Sequence, residues 1–62
     1  MTAVQIADIR ARARLSQSQL ARRLGVSPHT VQNWEQGLRR PSGPAILMLE
    51  VIQRESNRGG KS

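Results

Sequence analysis

His29, Gln32, Asn33 and Gln36 stand at i, i+3, i+4 and i+7, a spacing that puts four polar side chains on one face of an α-helix. The chemistry such a face offers is recognition by directed hydrogen bonds. Asn and Gln suit a bidentate bond to adenine, a His can donate to a guanine or a phosphate, and each good bidentate pair is worth roughly 1–3 kcal/mol of discrimination between bases. Catalysis finds little support. His29 is the sole histidine, the acidic residues are Asp8, Glu35, Glu50 and Glu55, and no nucleophile is recognisable beside them. Neither a phosphate-binding loop nor a metal-ligand cluster is visible, so no metal and no cofactor are expected.

Four polar residues alone are also what an ordinary solvated helix face presents, and the flanks decide between the two readings. On one side, Ser16, Gln17 and Ser18 open the preceding helix, where free amides and the helix dipole make an anion site. On the other, Arg39 and Arg40 lie just beyond the far end of the polar face. Phosphate contacts on both sides would bracket a helix that reads bases. Arg22, Arg23 and Arg54 read as a general positive field on solvated faces. Glu35 shares the buried face of its helix and has no other use there, so an ion pair with Arg10 is expected to tie the first helix to the third, with a value more positional than energetic. Trp34, the single aromatic residue, is spaced with Val31 for the core and makes a poor base-stacking platform by itself.

The elements that must position these residues announce themselves by start and stop signals. Thr2 and Gln5 have the spacing of a capping box, and Ile6, Ile9 and Ala13 follow as a narrow apolar stripe, giving a first helix to about Arg14. Ser16 and Gln19 repeat the box, Leu15 and Leu20 form a hydrophobic staple, and Gly25 closes a second helix whose buried face is Leu20, Ala21 and Leu24. Ser27 caps a third helix with Pro28 at its first position and Gly37 at its end. After the breaker-rich loop 38–44, Pro44 opens a fourth helix, with Ala45, Met48, Leu49 and Ile52 toward the core. Ile46, Leu47 and Val51 are then surplus to one buried stripe and are the candidate dimer interface. The expected fold is all-α, a compact helix-turn-helix domain of four to five helices over residues 1–54, followed by a flexible polar tail over 55–62.

At 62 residues there is room for one domain, which buries only ~60% of the surface its unfolded chain exposes. There is no cysteine to staple it, so dimerisation is the cheapest added support. The formal charge of +6 favours a polyanionic partner. With no membrane-spanning run and no secretory signal, a soluble cytoplasmic protein without membrane contact is expected.

Taken together, Ile9-Arg10, Leu15-Ser16-Gln17, Leu20-Ala21, Leu24-Gly25-Val26-Ser27, Thr30-Val31, Trp34-Glu35-Gln36-Gly37 and Arg40-Pro41 resemble the Xre/Cro-like helix-turn-helix family of bacterial and phage transcriptional repressors. The stretch from Arg40 to Ala45 is similar more narrowly to antitoxins of the HigA type, which repress their own operon and bind a toxin. The resemblance implies a lambda-repressor-like domain, dimeric on palindromic operator DNA. By position, Gln17 would hold the DNA backbone, and Ser27, His29, Gln32 and Asn33 would meet bases or adjacent phosphates; Thr30, on the same helix, is a further candidate base reader. It also implies the pairing of Arg10 with Glu35. Two departures stand out. Many members have Gly where this chain has Arg14, which adds a cation that could reach phosphate, and Pro28 replaces a polar side chain that often contacts bases. The expectation is a sequence-specific repressor serving as antitoxin and autoregulator, with a homodimer, operator DNA and a cognate toxin as partners. A repressor without a toxin and a protein-interaction module built on helix 4 remain the alternatives.

Overall fold

Each helix begins on a hydroxyl that caps its first turn. A computed structural model of the protein describes residues 1–60, with side chains to residue 57, and among them forms α1 (Ala3–Arg12), α2 (Gln17–Leu24), α3 (Pro28–Glu35) and α4 (Gly43–Gly60), with no strand. Thr2 Oγ1 accepts from Gln5 N at 3.1 Å while Gln5 Oε1 accepts from Thr2 N at 2.8 Å. Ser16 and Gln19 make the same reciprocal box at 3.0 and 2.8 Å. Ser27 Oγ takes Thr30 N at 3.2 Å, and Ser42 Oγ takes Ala45 N at 3.3 Å. Each bond satisfies an amide that the helix itself leaves without a partner.

The first three helices also end alike, on a left-handed residue: Arg14 at φ 59°, Gly25 at φ 73° and Gly37 at φ 78°. At each exit an amide reaches back to a carbonyl of the helix's closing turns: Leu15 N to Arg10 O at 3.1 Å, Val26 N to Ala21 O at 3.0 Å and Leu38 N to Asn33 O at 3.0 Å. The chain thus turns sharply three times within a few residues. The turns bring Ile6 and Ile9 of α1, Leu20 and Ala21 of α2, Val31 and Trp34 of α3, and Ala45, Leu49 and Ile52 of α4 into one buried cluster. Leu15 and Val26, just past two of the exits, pack half-buried against it. α2 packs chiefly on α3, and α1 on both α3 and α4. No helix among the described residues is long and apolar enough to cross a membrane.

Several boundaries differ from the sequence expectation. α1 stops at Arg12, because Arg14 itself takes the left-handed turn. α3 stops at Glu35, with Gln36 as cap and Gly37 in the turn. α4 starts at Gly43 because the Ser42 cap, and not Pro44, sets its first turn. It also runs on past Arg54, through most of the stretch expected as a tail. Nothing between 53 and 58 breaks a helix, Ser56 Oγ donates to Ile52 O at 3.0 Å, and Arg23 Nη2 donates to Glu55 Oε1 at 3.1 Å. The last two residues of that expected tail, 61 and 62, lie outside the described residues. Met48 is 40% exposed and not in the core, since Ala45, Leu49 and Ile52 already fill the buried stripe. Pro41, read as loop, is buried.

A left-handed conformation costs a residue with a Cβ roughly 1–2 kcal/mol, and glycine forfeits about 0.5–1 kcal/mol of that advantage through unfolded-state entropy. Arg14→Gly is therefore expected to stabilise the domain by about 0.5–1 kcal/mol, a rise of a few degrees in a thermal melt. An unchanged or lower midpoint would mean that the Arg14 side chain contributes more to the fold than its backbone costs.

Candidate nucleic-acid interface

The polar face of α3 is held outward by what lies beneath it. Val31 and Trp34 are buried, and on the opposite side His29, Gln32 and Gln36 are exposed while Asn33 is half-buried. Ser27 and Thr30 lie at the helix start with their hydroxyls 2.9 Å apart. Ser27 Oγ is also occupied by the cap, so these two serve the helix as well as any ligand. Between α3 and the loop to α4 lies an open depression of about 540 Å³, lined by His29, Thr30, Asn33, Arg39, Arg40 and Ser42. The structure therefore brings one edge of the polar face together with the two loop arginines, both exposed. Arg39 N and Leu38 N both point at Asn33 O, at 3.4 and 3.0 Å, which fixes the loop against the end of the helix.

The opposite edge is set by Glu35. Its Oε2 accepts from Arg10 Nε at 2.6 Å, and its Oε1 accepts from Arg10 Nη2 at 3.1 Å and from Gln17 Nε2 at 3.2 Å. Arg10 Nη1 donates in turn to Leu15 O at 3.1 Å. One carboxylate thus joins α1, the α1–α2 turn, the first residue of α2 and the last residue of α3. The Glu35 side chain is 10% exposed and that of Arg10 25%. Hydrogen bonding to Glu35 raises the Arg10 pKa above its ordinary value, burial works against this, and the carboxylate's charge adds to it. A carboxylate at a helix C-terminus opposes the dipole, so Arg10 also offsets an unfavourable placement.

The Gln17–Glu35 bond is absent from the sequence reading and alters the role of Gln17. Its side-chain nitrogen is engaged inside the protein, and Gln19 N and Leu20 N are used by Ser16, at 3.0 and 2.9 Å. The free donors at the start of α2 are then the backbone amides of Gln17 and Ser18. The Ser16 hydroxyl, acting as acceptor in the cap, keeps its proton to donate. Arg14 stands apart from the α3 groove and lines a separate recess with Arg12 and Arg23. Of the surplus apolar residues on α4, Leu47 and Val51 are 64% and 41% exposed, whereas Ile46 is half-buried within the chain. Met48 joins Leu47 and Val51 on that open face.

Residues 3–49 match the family described as Helix-turn-helix domain. The chain is similar to the Antitoxin HigA-2 of Vibrio cholerae serotype O1, with 40% identity over 50 residues that cover 81% of this chain and 48% of that protein. It thus spans about half the length of the curated relative it matches. No solved structure gives a significant match.

Glu35→Gln would keep the shape of the junction while removing the charge that Arg10 faces, and is expected to cost about 1–3 kcal/mol of stability. The double variant Arg10→Gln/Glu35→Gln should lose less than the sum of the two single losses, because neither partner is then left as an unpaired charge. Chemical denaturation of the four proteins measures this. Additive losses would show that the two groups do not depend on each other.

Proposed function

The chain belongs to the helix-turn-helix domain family, and on that premise we propose that it is a sequence-specific DNA-binding repressor acting as antitoxin and autoregulator of a toxin–antitoxin pair. The observation that carries the DNA reading is the bracketing of one exposed polar helix face by two kinds of phosphate donor. His29, Gln32, Asn33 and Gln36 face outward between the free amides of Gln17 and Ser18 and the guanidinium groups of Arg39 and Arg40. α3 enters the major groove, about 12 Å wide, and its polar side chains meet base edges, with Ser27 and Thr30 at its start. The flanking donors fix register on the sugar–phosphate backbone. Pro28 offers no hydrogen bond, so His29, Gln32 and Asn33 carry most of the discrimination.

The antitoxin part of the proposal rests on the similarity to the HigA-type protein. A toxin is then a second partner, and the work is done in the cytoplasm, where the operator lies. The open face of Leu47, Met48 and Val51 supports a homodimer about that helix. Two-fold symmetry would set two reading helices one DNA turn apart, about 34–36 Å. No reaction is assigned to any side chain.

Binding to a duplex from the chain's own promoter, compared with mixed-sequence DNA at several salt concentrations, tests this. Affinity for both should fall steeply with salt, and Arg40→Gln should reduce the slope of log K against log salt by about one while weakening both duplexes alike. Asn33→Ala should weaken the promoter duplex by about 1–3 kcal/mol and leave mixed DNA nearly unchanged. Equal loss on both duplexes would remove base reading from that face. Salt-independent or absent binding would favour a protein-interaction module.

A further inference from the structure

We propose that the recess between the C-terminal parts of α1, α2 and α4 is a docking site for an acidic, partly apolar segment of a partner protein. The recess is open, has a volume of about 510 Å³, and is lined by Arg12, Ala13, Arg14, Arg23, Ile52 and Glu55 among others. No residue of α3 borders it. Three arginines and one glutamate therefore line the recess around an apolar floor of half-buried Ala13 and buried Ile52.

Two of the arginines already show which ligand they take. Arg23 Nη2 lies 3.1 Å from Glu55 Oε1, and Arg12 Nε lies 2.9 Å from Asp8 Oδ2. Both pairs are about half exposed or more, with side chains at 47% and 59% in the first and 66% and 53% in the second, so each is weakly held and exchanges readily with solvent or with another carboxylate. Glu55 is thus an internal occupant that an incoming acid displaces from Arg23. Arg14 makes no ion pair among the described residues, which leaves one guanidinium free for the first contact.

The backbone of Arg14 adds an independent reason. The equivalent exits of α2 and α3 use glycine, which is unstrained at positive φ, whereas this exit holds an arginine at φ 59° with the side chain on the recess. Planar guanidinium groups match carboxylates by paired hydrogen bonds, and the apolar floor accommodates an aliphatic side chain between them. A DNA backbone presents only the edges of its sugars to that floor, where a peptide can place a whole aliphatic side chain. The occupant favoured by this lining is a peptide segment and not a nucleic acid.

Fluorescence anisotropy of the full chain with a short labelled peptide of glutamate and leucine, against a lysine-and-leucine control, tests the proposal. The acidic peptide should bind and the basic one should not. Arg14→Gly and Arg23→Gln should each weaken it roughly five- to tenfold, and Glu55→Gln should strengthen it several-fold. Arg14→Gly must remain folded in a thermal melt. Arg40→Gln, at the far end of the molecule, should weaken DNA and leave the peptide unaffected, so failure of the DNA reading and failure of this one are separable. No acidic-peptide binding, or equal binding by the parent and Arg14→Gly, would each overturn the site.

Discussion

The geometry of the whole domain depends on one carboxylate. Glu35 accepts three hydrogen bonds, two from Arg10 and one from Gln17, and Arg10 also holds the carbonyl of Leu15. α2 and α3 are only 8 residues each, far below the length at which an isolated helix is stable in water, so neither can fix its own direction. The Glu35 junction fixes both against α1. Partly buried pairs of this kind yield little net free energy once desolvation is counted. What the pair secures is the angle at which the polar face of α3 leaves the protein.

Burial by itself would not set that angle. Val31, Trp34, Leu20 and Ala21 are packed by a non-directional force, and a helix of two turns could roll on such a core at small cost. Directional bonds remove the freedom at both ends of α3. At its N-terminus the Ser27 cap and Pro28 fix the entry, and at its C-terminus Glu35 and the Gly37 exit fix the departure. The same exit delivers Arg39 and Arg40 to the edge of the polar face, so one turn serves both fold and site.

Most of this was legible in the sequence because most of it is local. The capping boxes at Thr2 and Ser16, the Pro28 start and the Gly25 and Gly37 exits are each decided within about five residues. Glu35 could be paired with Arg10 because a carboxylate on an otherwise buried face requires a partner. Harder to read were bonds between residues distant in the chain. Nothing in the spacing of Gln17 and Glu35, or of Arg23 and Glu55, distinguishes them from other polar residues. At the α4 start, Pro44 is the more conspicuous signal and hides the Ser42 cap. Met48 lies outside the core because α4 offers more apolar residues than one core stripe accepts, and periodicity alone does not distinguish which are left outside.

The arrangement yields a molecule with three distinct surfaces: a polar helix face flanked by donors, an apolar stripe on α4, and an arginine-lined recess at the other end of α1. The central claim is that the first of these meets DNA. Amide chemical-shift mapping during titration with a promoter duplex tests it most directly. The largest changes are expected at Gln17 and Ser18, along 27–36, and at Arg39 and Arg40. Changes concentrated at Leu47 to Val51, or around Arg12, Arg14 and Arg23, with the amides of α3 unmoved, would contradict it.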